Sequence, residues 1–336
     1  MKDQITLIII LHNRHANLDR LLEYYSGQYF SIIIADSSSE EHVFVKERKP
    51  YVKYSYTPGL TYTQKVEIIL QQVTTDYVAL CADDDFIIAE GLFECAAFLN
   101  DNPGYCVAQG VILKYYQNTI GKKLRYDMVY KGDHSLSSEN AVQRMENLFN
   151  PYKSLLYALH RTPVLKEAFQ NAGAALKNLY LNEYLTSIIP IFKGKSKDLT
   201  CLYQVREYAE ASDDKTAENI DVVLHAEKYK IELQLFLDHL AGKIDDSAGL
   251  DKNALKAFIL KELNNYASQI ESFKKAKTGF KKRIGYVVGA IPFVGKQYVQ
   301  NNRYKQSIMD LRKYLTKKDF VELDNIEKIL KQYKSQ

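Results

Sequence analysis

Three short runs of nearly pure apolar sequence constrain this chain more than anything else in it. Ile5–Leu11 reads ITLIIIL, residues 32–35 read IIIA, and residues 77–82 read YVALCA. Apolar at consecutive positions and rich in β-branched side chains, they predict strands covered on both faces, as in a parallel sheet. Helical spacings lie between them: Leu18, Leu21, Leu22 and Tyr25 after the first run, then Val66, Ile69, Leu70 and Val73 before the third. An alternating strand at 52–56 and a turn at Thr57-Pro58-Gly59 complete the unit. Strand–helix alternation with short connections predicts a doubly wound α/β sheet, in which ligands bind at the carboxyl ends of the strands.

Each apolar run breaks off into chemistry. The first gives way to His12-Asn13-Arg14, the second to Asp36-Ser37-Ser38-Ser39, and the third to Asp83-Asp84-Asp85-Phe86. The topology gathers these along one edge. Three adjacent carboxylates repel one another, and packing offers no reason to place them behind a buried strand. A divalent cation turns that repulsion into attraction, and hard oxygen donors suit Mg²⁺ or Mn²⁺, which also bind substrate phosphates. An acidic turn capping the following helix is the plainer reading of the same residues.

Further along, helices are predicted at 93–99, 139–149 and 180–192, and strands at 105–113, 155–159 and 198–205; residues 129–138 read as a surface loop and 160–163 as a turn. Polar residues 209–216 mark a boundary, which assigns 1–210 to the α/β domain. Residues 217–273 read as a helical extension, with His225 and His239 as surface or packing residues. Residues 274–336 form a basic tail carrying 16 Lys and Arg against five Asp and Glu, a charge of +11 within a chain whose net charge is +4. Six basic residues, Lys274, Lys275, Lys277, Lys281, Lys282 and Arg283, run into the apolar stretch 284–294. That stretch is too short to span a bilayer and suits a segment lying in the headgroup region of an anionic membrane. Interleaved stacking aromatics are absent from the basic stretch, so no nucleic-acid partner is expected. The helices predicted at 306–315 and 320–330 are short and amphipathic, fit to pack on the tail or on a second copy in a homo-oligomer. The start lacks the features of a signal peptide, no run is long enough for a membrane span, and the four cysteines include no CxxC. A cytoplasmic protein, peripheral on the inner face of the cell membrane, is therefore expected.

Taken in order, these motifs resemble the GT-A fold glycosyltransferases of family 2, of the type that builds bacterial cell-surface polysaccharides. TLIIILHNRHANLDRLL is similar to that family's first strand and turn, IIIADSSS to its second strand, and DYVALCADDDF to its acidic metal-binding motif. NEYLTSIIPIFKGK sits where the family has an acidic pair with a catalytic base, and VREY resembles a later Arg-containing strand end. The resemblance covers residues 4 to about 208. It implies a Rossmann-like, mainly parallel sheet flanked by helices, with the helical C-terminal extension outside it.

The resemblance also implies roles. Asp36 bonds the base of the nucleotide donor, with the turn Leu11, His12, Asn13 and Arg14 beneath it. Asp83 lies near the ribose; Asp84, with or without Asp85, meets Mn²⁺ or Mg²⁺ on the diphosphate; Arg206 contacts the diphosphate. Glu183 is the general base, giving inversion at the anomeric carbon. The donor is expected to be a UDP-sugar and the acceptor a cell-surface glycan or lipid-linked precursor. The sequence departs from the family pattern at Leu11 and His12, which replace Thr or Pro and Tyr. Lys65 stands where many members have Asn, and Asn182-Glu183 replaces Glu-Asp, leaving the register of the base open by one. Arg161 is an alternative phosphate or acceptor contact. Two other readings stand beside this one: a sugar nucleotidyltransferase, disfavoured because 11–17 contains no Gly, and a non-catalytic module recruited to membranes by its tail.

Overall fold

Ile5–Leu11 (β1) buries every side chain except Ile10, which is partly exposed. A strand hidden on both faces needs neighbours on both edges, and β1 has them. It pairs in parallel with Ser31–Asp36 (β2) on one side and Tyr77–Ala82 (β4) on the other, with Leu11 level with Asp36 and Ile10 level with Ala82. Val52–Tyr56 (β3) adds a parallel edge, Tyr56 beside Asp36. This register brings all the strand ends to one line, which is what gathers the polar residues that follow them.

The computed structural model describes residues 2–28, 30–43, 51–116, 124–130, 133–208, 220–244, 249–288 and 309–333, with backbone alone for 273–288. Its nine-stranded sheet runs β3-β2-β1-β4-β8-β6-β9-β5, with β7 paired to β6. The new members are Phe86–Ile87 (β5), Tyr105–Tyr116 (β6), Arg125–Met128 (β7), Leu159–Arg161 (β8) and Lys195–Glu207 (β9). The expected parallel sheet therefore covers only its first half. β8 runs antiparallel to both β4 and β6, β6 and β9 are parallel, and β5 is antiparallel to β9.

The strand predicted at 155–159 falls instead at 159–161. It stops where Thr162–Phe169 (α5) begins, with a proline in its first turn, a position that needs no N–H donor. Gly110 sits at the bulge where β6 shifts register against β9; a Cβ there would lie 2.2 Å from the Cys201 carbonyl oxygen, so no side chain fits.

Two apolar layers cover the sheet, as the alternation along β1 requires. Leu7 and Ile9 face His15–Tyr24 (α1) and Ala89–Asp101 (α3), while Ile8 faces Tyr62–Leu70 (α2), Ala141–Leu148 (α4), α5 and Leu179–Lys193 (α6). The C-terminal helices join both layers. Phe236 and Leu240 of Lys230–Lys243 (α8) and Ile259 and Leu263 of Lys252–Val288 (α9) share the second core; Ile220–His225 (α7) adds Ile220 and Val223. Leu323, Ile326, Ile329 and Leu330 of Lys317–Tyr333 (α10) share the first.

α10 docks on α1, with Tyr24 Oη donating to Glu322 (2.5 Å) and Tyr333 Oη to the Asp19 carbonyl (3.3 Å). α9 carries the helix through the basic cluster to Val288. The rest of the stretch assigned to the membrane surface, 289–294, lies outside the described residues. Among the described residues no helix is long and apolar enough to cross a membrane.

Candidate active site

The turn after β1 is locked to the turn after β2. Asn13 takes a left-handed φ of +54°, its N–H donates to Ser38 Oγ (2.7 Å), and its Oδ1 accepts from the Ser39 N–H (2.9 Å). His12 Nδ1 lies 3.0 Å from the Ser37 carbonyl and 3.1 Å from Ser37 Oγ. Asp36 is fully buried. Its Oδ1 accepts from Ser38 N (2.8 Å) and Ser38 Oγ (2.5 Å), and its Oδ2 from Tyr54 Oη (2.6 Å).

Lys65, on α2, donates to the Leu11 carbonyl (2.7 Å) and Ser37 Oγ (2.9 Å), tying the two strand ends from behind. Burial lowers its ammonium to about 8, against the pull of Asp36 and Asp83.

The three aspartates diverge. Arg14 Nη1 bridges the first two, 3.2 Å from Asp83 Oδ1 and 2.9 Å from Asp84 Oδ2. Asp85 turns toward β9: its Oδ2 accepts from Gln204 Nε2 (2.9 Å) and Arg206 Nε (3.2 Å), its Oδ1 from the Glu207 N–H (3.1 Å). The short β5 makes this possible by pairing Phe86 with Val205. Beneath them Arg20 bonds Glu207 Oε2 (3.1 Å) and the Asp84 carbonyl (3.1 Å), and Tyr115 Oη donates to Glu207 Oε2 (2.8 Å). Burial pushes the Asp83 carboxyl up to about 6 and the Asp85 carboxyl up to about 7, each opposed by its arginine; Asp84 is raised by burial as well. The arginines thus only partly neutralise the cluster.

Several of these residues line a cavity of about 680 Å³. His12, Arg14, Lys65, Asp83, Asp84, Asp85 and Arg206 line it; Leu11, Asn13 and Asp36 do not. Glu183 lines the same cavity. Asn178 caps α6 by accepting from the N–H groups of Tyr180 (2.9 Å) and Leu181 (3.3 Å), which fixes the helix phase. In that phase Asn182 is buried toward α2, its Oδ1 sharing the Thr63 hydroxyl (2.7 Å) with the Leu176 carbonyl, and Glu183 is the one that faces the cavity.

Behind Glu183 lies an aromatic cluster: the Tyr152 ring is 5.2 Å from that of Tyr184 and 5.0 Å from that of Tyr266 on α9. Arg161 is elsewhere. At the far end of β4, opposite Tyr77, it donates to the Tyr105 carbonyl (2.7 Å) and the Leu99 carbonyl (2.6 Å), which removes it as a substrate contact.

Sequence reasoning missed Arg20, Lys114, Tyr157, Gln204 and Glu207. Arg20 carried a signal, a charge set among the core leucines of α1; Gln204, fully buried on β9, carried none.

Among the described residues no group of three His, Cys, Asp or Glu side chains is placed to hold a metal ion. Asp85 does not fit as a ligand, since both its oxygens are engaged by β9. Asp84 does fit: its side chain keeps 18% exposure, faces the cavity and is raised by burial, as an under-compensated carboxylate is. The donor set suits a cation that draws most of its shell from water and substrate phosphate.

Residues 6–169 match the model of glycosyl transferase family 2. The chain is a glycosyltransferase. Its segment 6–169 belongs to family 2 of these enzymes.

The crystal structure of S. aureus TarS 1-349 in complex with UDP-GlcNAc is similar over 99% of this chain and 92% of that one, with a TM-score of 0.54 and 14% identity. The same TarS segment in complex with UDP is matched over 81% of this chain and 92% of that one, with a TM-score of 0.47 and 16% identity. The first likeness is one of fold: a mixed α/β sheet flanked by helices, helical C-terminal region included. No curated protein matches the chain in sequence.

Proposed function

We propose that the chain transfers a sugar from a UDP-sugar to an acceptor hydroxyl with inversion at the anomeric carbon. What carries the reading is that one cavity joins the cations and acids of the strand ends with Glu183, a carboxylate brought in by α6. Direct displacement asks for that arrangement, with a base on the attacking side and charge stabilisation where the diphosphate leaves. The TarS complex with UDP-GlcNAc supports the choice of donor.

The nucleotide lies along the strand ends, its base against His12 and Ser37. Asp36 serves that contact from behind, by holding Ser38 and Tyr54. Arg14 and Arg206 face the diphosphate. A divalent cation, Mn²⁺ or Mg²⁺, held by Asp84 supplies Lewis-acid charge at the leaving phosphate oxygens. Glu183 accepts the proton of the acceptor hydroxyl as it attacks. The acceptor is a glycan or lipid-linked precursor, met at an anionic membrane surface through residues 274–294.

Glu183→Gln tests the reading. The variant is expected to bind UDP like the wild type and to lose about 10²–10⁴-fold in kcat. Unchanged turnover removes Glu183 as the base.

A further inference from the structure

Two cysteines far apart in sequence, Cys95 and Cys201, meet where α3 crosses β9. The crossing is close. Ile88, which precedes α3, donates its N–H to the Tyr203 carbonyl (2.8 Å). One turn on, a Cβ at Gly91 would lie 2.4 Å from the Leu202 carbonyl oxygen and 3.0 Å from Tyr203 Cα, so helix and strand touch by their backbones. As the helix advances it moves back along the strand. The next turn brings Cys95 about 6 Å beyond Gly91, and Cys201 stands about 3 Å behind Leu202.

Side-chain direction agrees with backbone position. A Cβ at Gly110 would lie 2.8 Å from Cys201 Sγ and 3.0 Å from Tyr203 Cβ, which puts both side chains on one face of the sheet. Tyr203 shares its core with Cys95. There the thiols of Cys95 and Cys201 are hydrogen-bonded to each other. Burial first, then that bond, hold the Cys95 thiol well above its ordinary value, while the ammonium of Lys153, itself buried and paired with Asp198 of β9, pulls the other way.

Exposure gives the two sulfurs different parts. Cys95 is fully buried and Cys201 partly exposed, so an oxidant in solution reaches Cys201 first and leaves Cys95 to resolve it. The other two cysteines sit elsewhere: Cys81 on β4 donates to the carbonyls of Ala82 (3.3 Å) and Asp85 (3.4 Å), and Cys106 on β6 packs against Gly194.

We propose that Cys95 and Cys201 are a peroxide-reactive pair that closes to a reversible disulfide between α3 and β9. The Cys201 sulfur attacks one oxygen of hydrogen peroxide. The O–O bond breaks, water leaves, and the sulfur is oxidised by two electrons to a sulfenic acid as the peroxide is reduced. The Cys95 sulfur then attacks the Cys201 sulfur: the S–S bond forms, the S–O bond breaks, and the hydroxyl leaves with the Cys95 proton as a second water. A dithiol reverses the product by exchange. Because α3 and β9 already touch, the bond forms without shifting β9, the strand that holds Arg206 and Glu207 against Asp85. Cys95 thereby spares Cys201 from sulfinic and sulfonic acid, which a dithiol does not reduce.

The test treats the full chain, wild type and Cys95→Ala, with hydrogen peroxide and reads intact mass and a non-reducing peptide map. The wild type is expected to lose two hydrogens, about 2 Da, to yield the Cys95 and Cys201 peptides joined with Cys81 and Cys106 still free, and to regain its mass in dithiothreitol. Cys95→Ala is expected to gain two or three oxygens at Cys201, about 32 or 48 Da, and to keep them in dithiothreitol. A wild type that gains oxygen at Cys201 instead of forming the bond, that joins either cysteine to Cys81 or Cys106, or that keeps all four thiols free overturns the proposal. None of these readouts depends on sugar transfer.

Discussion

Asp84 and Asp85 are neighbours in sequence with different jobs. Asp85 is buried against Gln204, Arg206 and the Glu207 amide, so it fastens β9 to the acidic turn. Asp84 faces the cavity with one oxygen on Arg14. Asp85→Ala removes the acceptor of Gln204 Nε2, Arg206 Nε and the Glu207 amide together. A loss of about 3–5 kcal/mol in urea unfolding is expected, against under about 1 kcal/mol for Asp84→Ala. Equal losses would mean that the two carboxylates share one role.

That three acids stand together at the end of a buried strand was legible from the sequence. Which of them looks outward was not, because the answer lies on β9, some 120 residues away. Asp36 shows the same limit. An aspartate ending a strand reads alike whether it faces a ligand or, as here, Tyr54 and Ser38.

β8 is three residues long and turns a parallel half-sheet into a mixed one. Its His160 is fully buried, with Nε2 donating to the Leu155 carbonyl (2.8 Å) and Nδ1 unpartnered. Burial lowers the imidazole to about 4, the Leu155 bond opposing. Below its unfolded value the unfolded chain binds a proton that the folded chain refuses. Stability is therefore whole above about pH 6.5 and falls as pH drops toward 4, by roughly 3 kcal/mol. His160→Gln keeps a donor to Leu155 and cannot titrate. Its urea-unfolding free energy is expected to lose about that much less than the wild type's between pH 7 and pH 4. Parallel curves would contradict the assignment.

β1, β2 and β4, by their unbroken apolar runs, and α2 and α6, by their helical period, were readable from their residues because core packing dictates these patterns. β5 and β8 were not. Each is too short for a period, and its pairing is set by partners far along the chain.

Across the whole molecule, the C-terminal third builds the enzyme rather than trailing from it. α9 sets Tyr266 against the cluster behind Glu183, and α10 shields α1, which carries Arg20 and begins one residue after Arg14. The compositional break at 209–216 was visible; that the helices beyond it return to both faces of the sheet was not, since amphipathic helices do not name their partner. Membrane docking is accordingly tested by substitution and not by truncation, which would strip α10. The wild type is expected to sediment with vesicles containing anionic lipid, reversibly in high salt. Replacing Lys274, Lys275, Lys277, Lys281, Lys282 and Arg283 by Ser should abolish this. Sedimentation that survives the replacement would put the contact elsewhere.

The account turns on the acidic strand ends being a diphosphate site completed by a cation. Calorimetric titration of UDP, with Mn²⁺ and then with the metal removed by chelator, tests this most directly in the wild type and in Asp84→Ala. UDP affinity is expected to fall at least about tenfold when Mn²⁺ is removed, and to be equally low in Asp84→Ala with or without the metal. One affinity across all four titrations would contradict it.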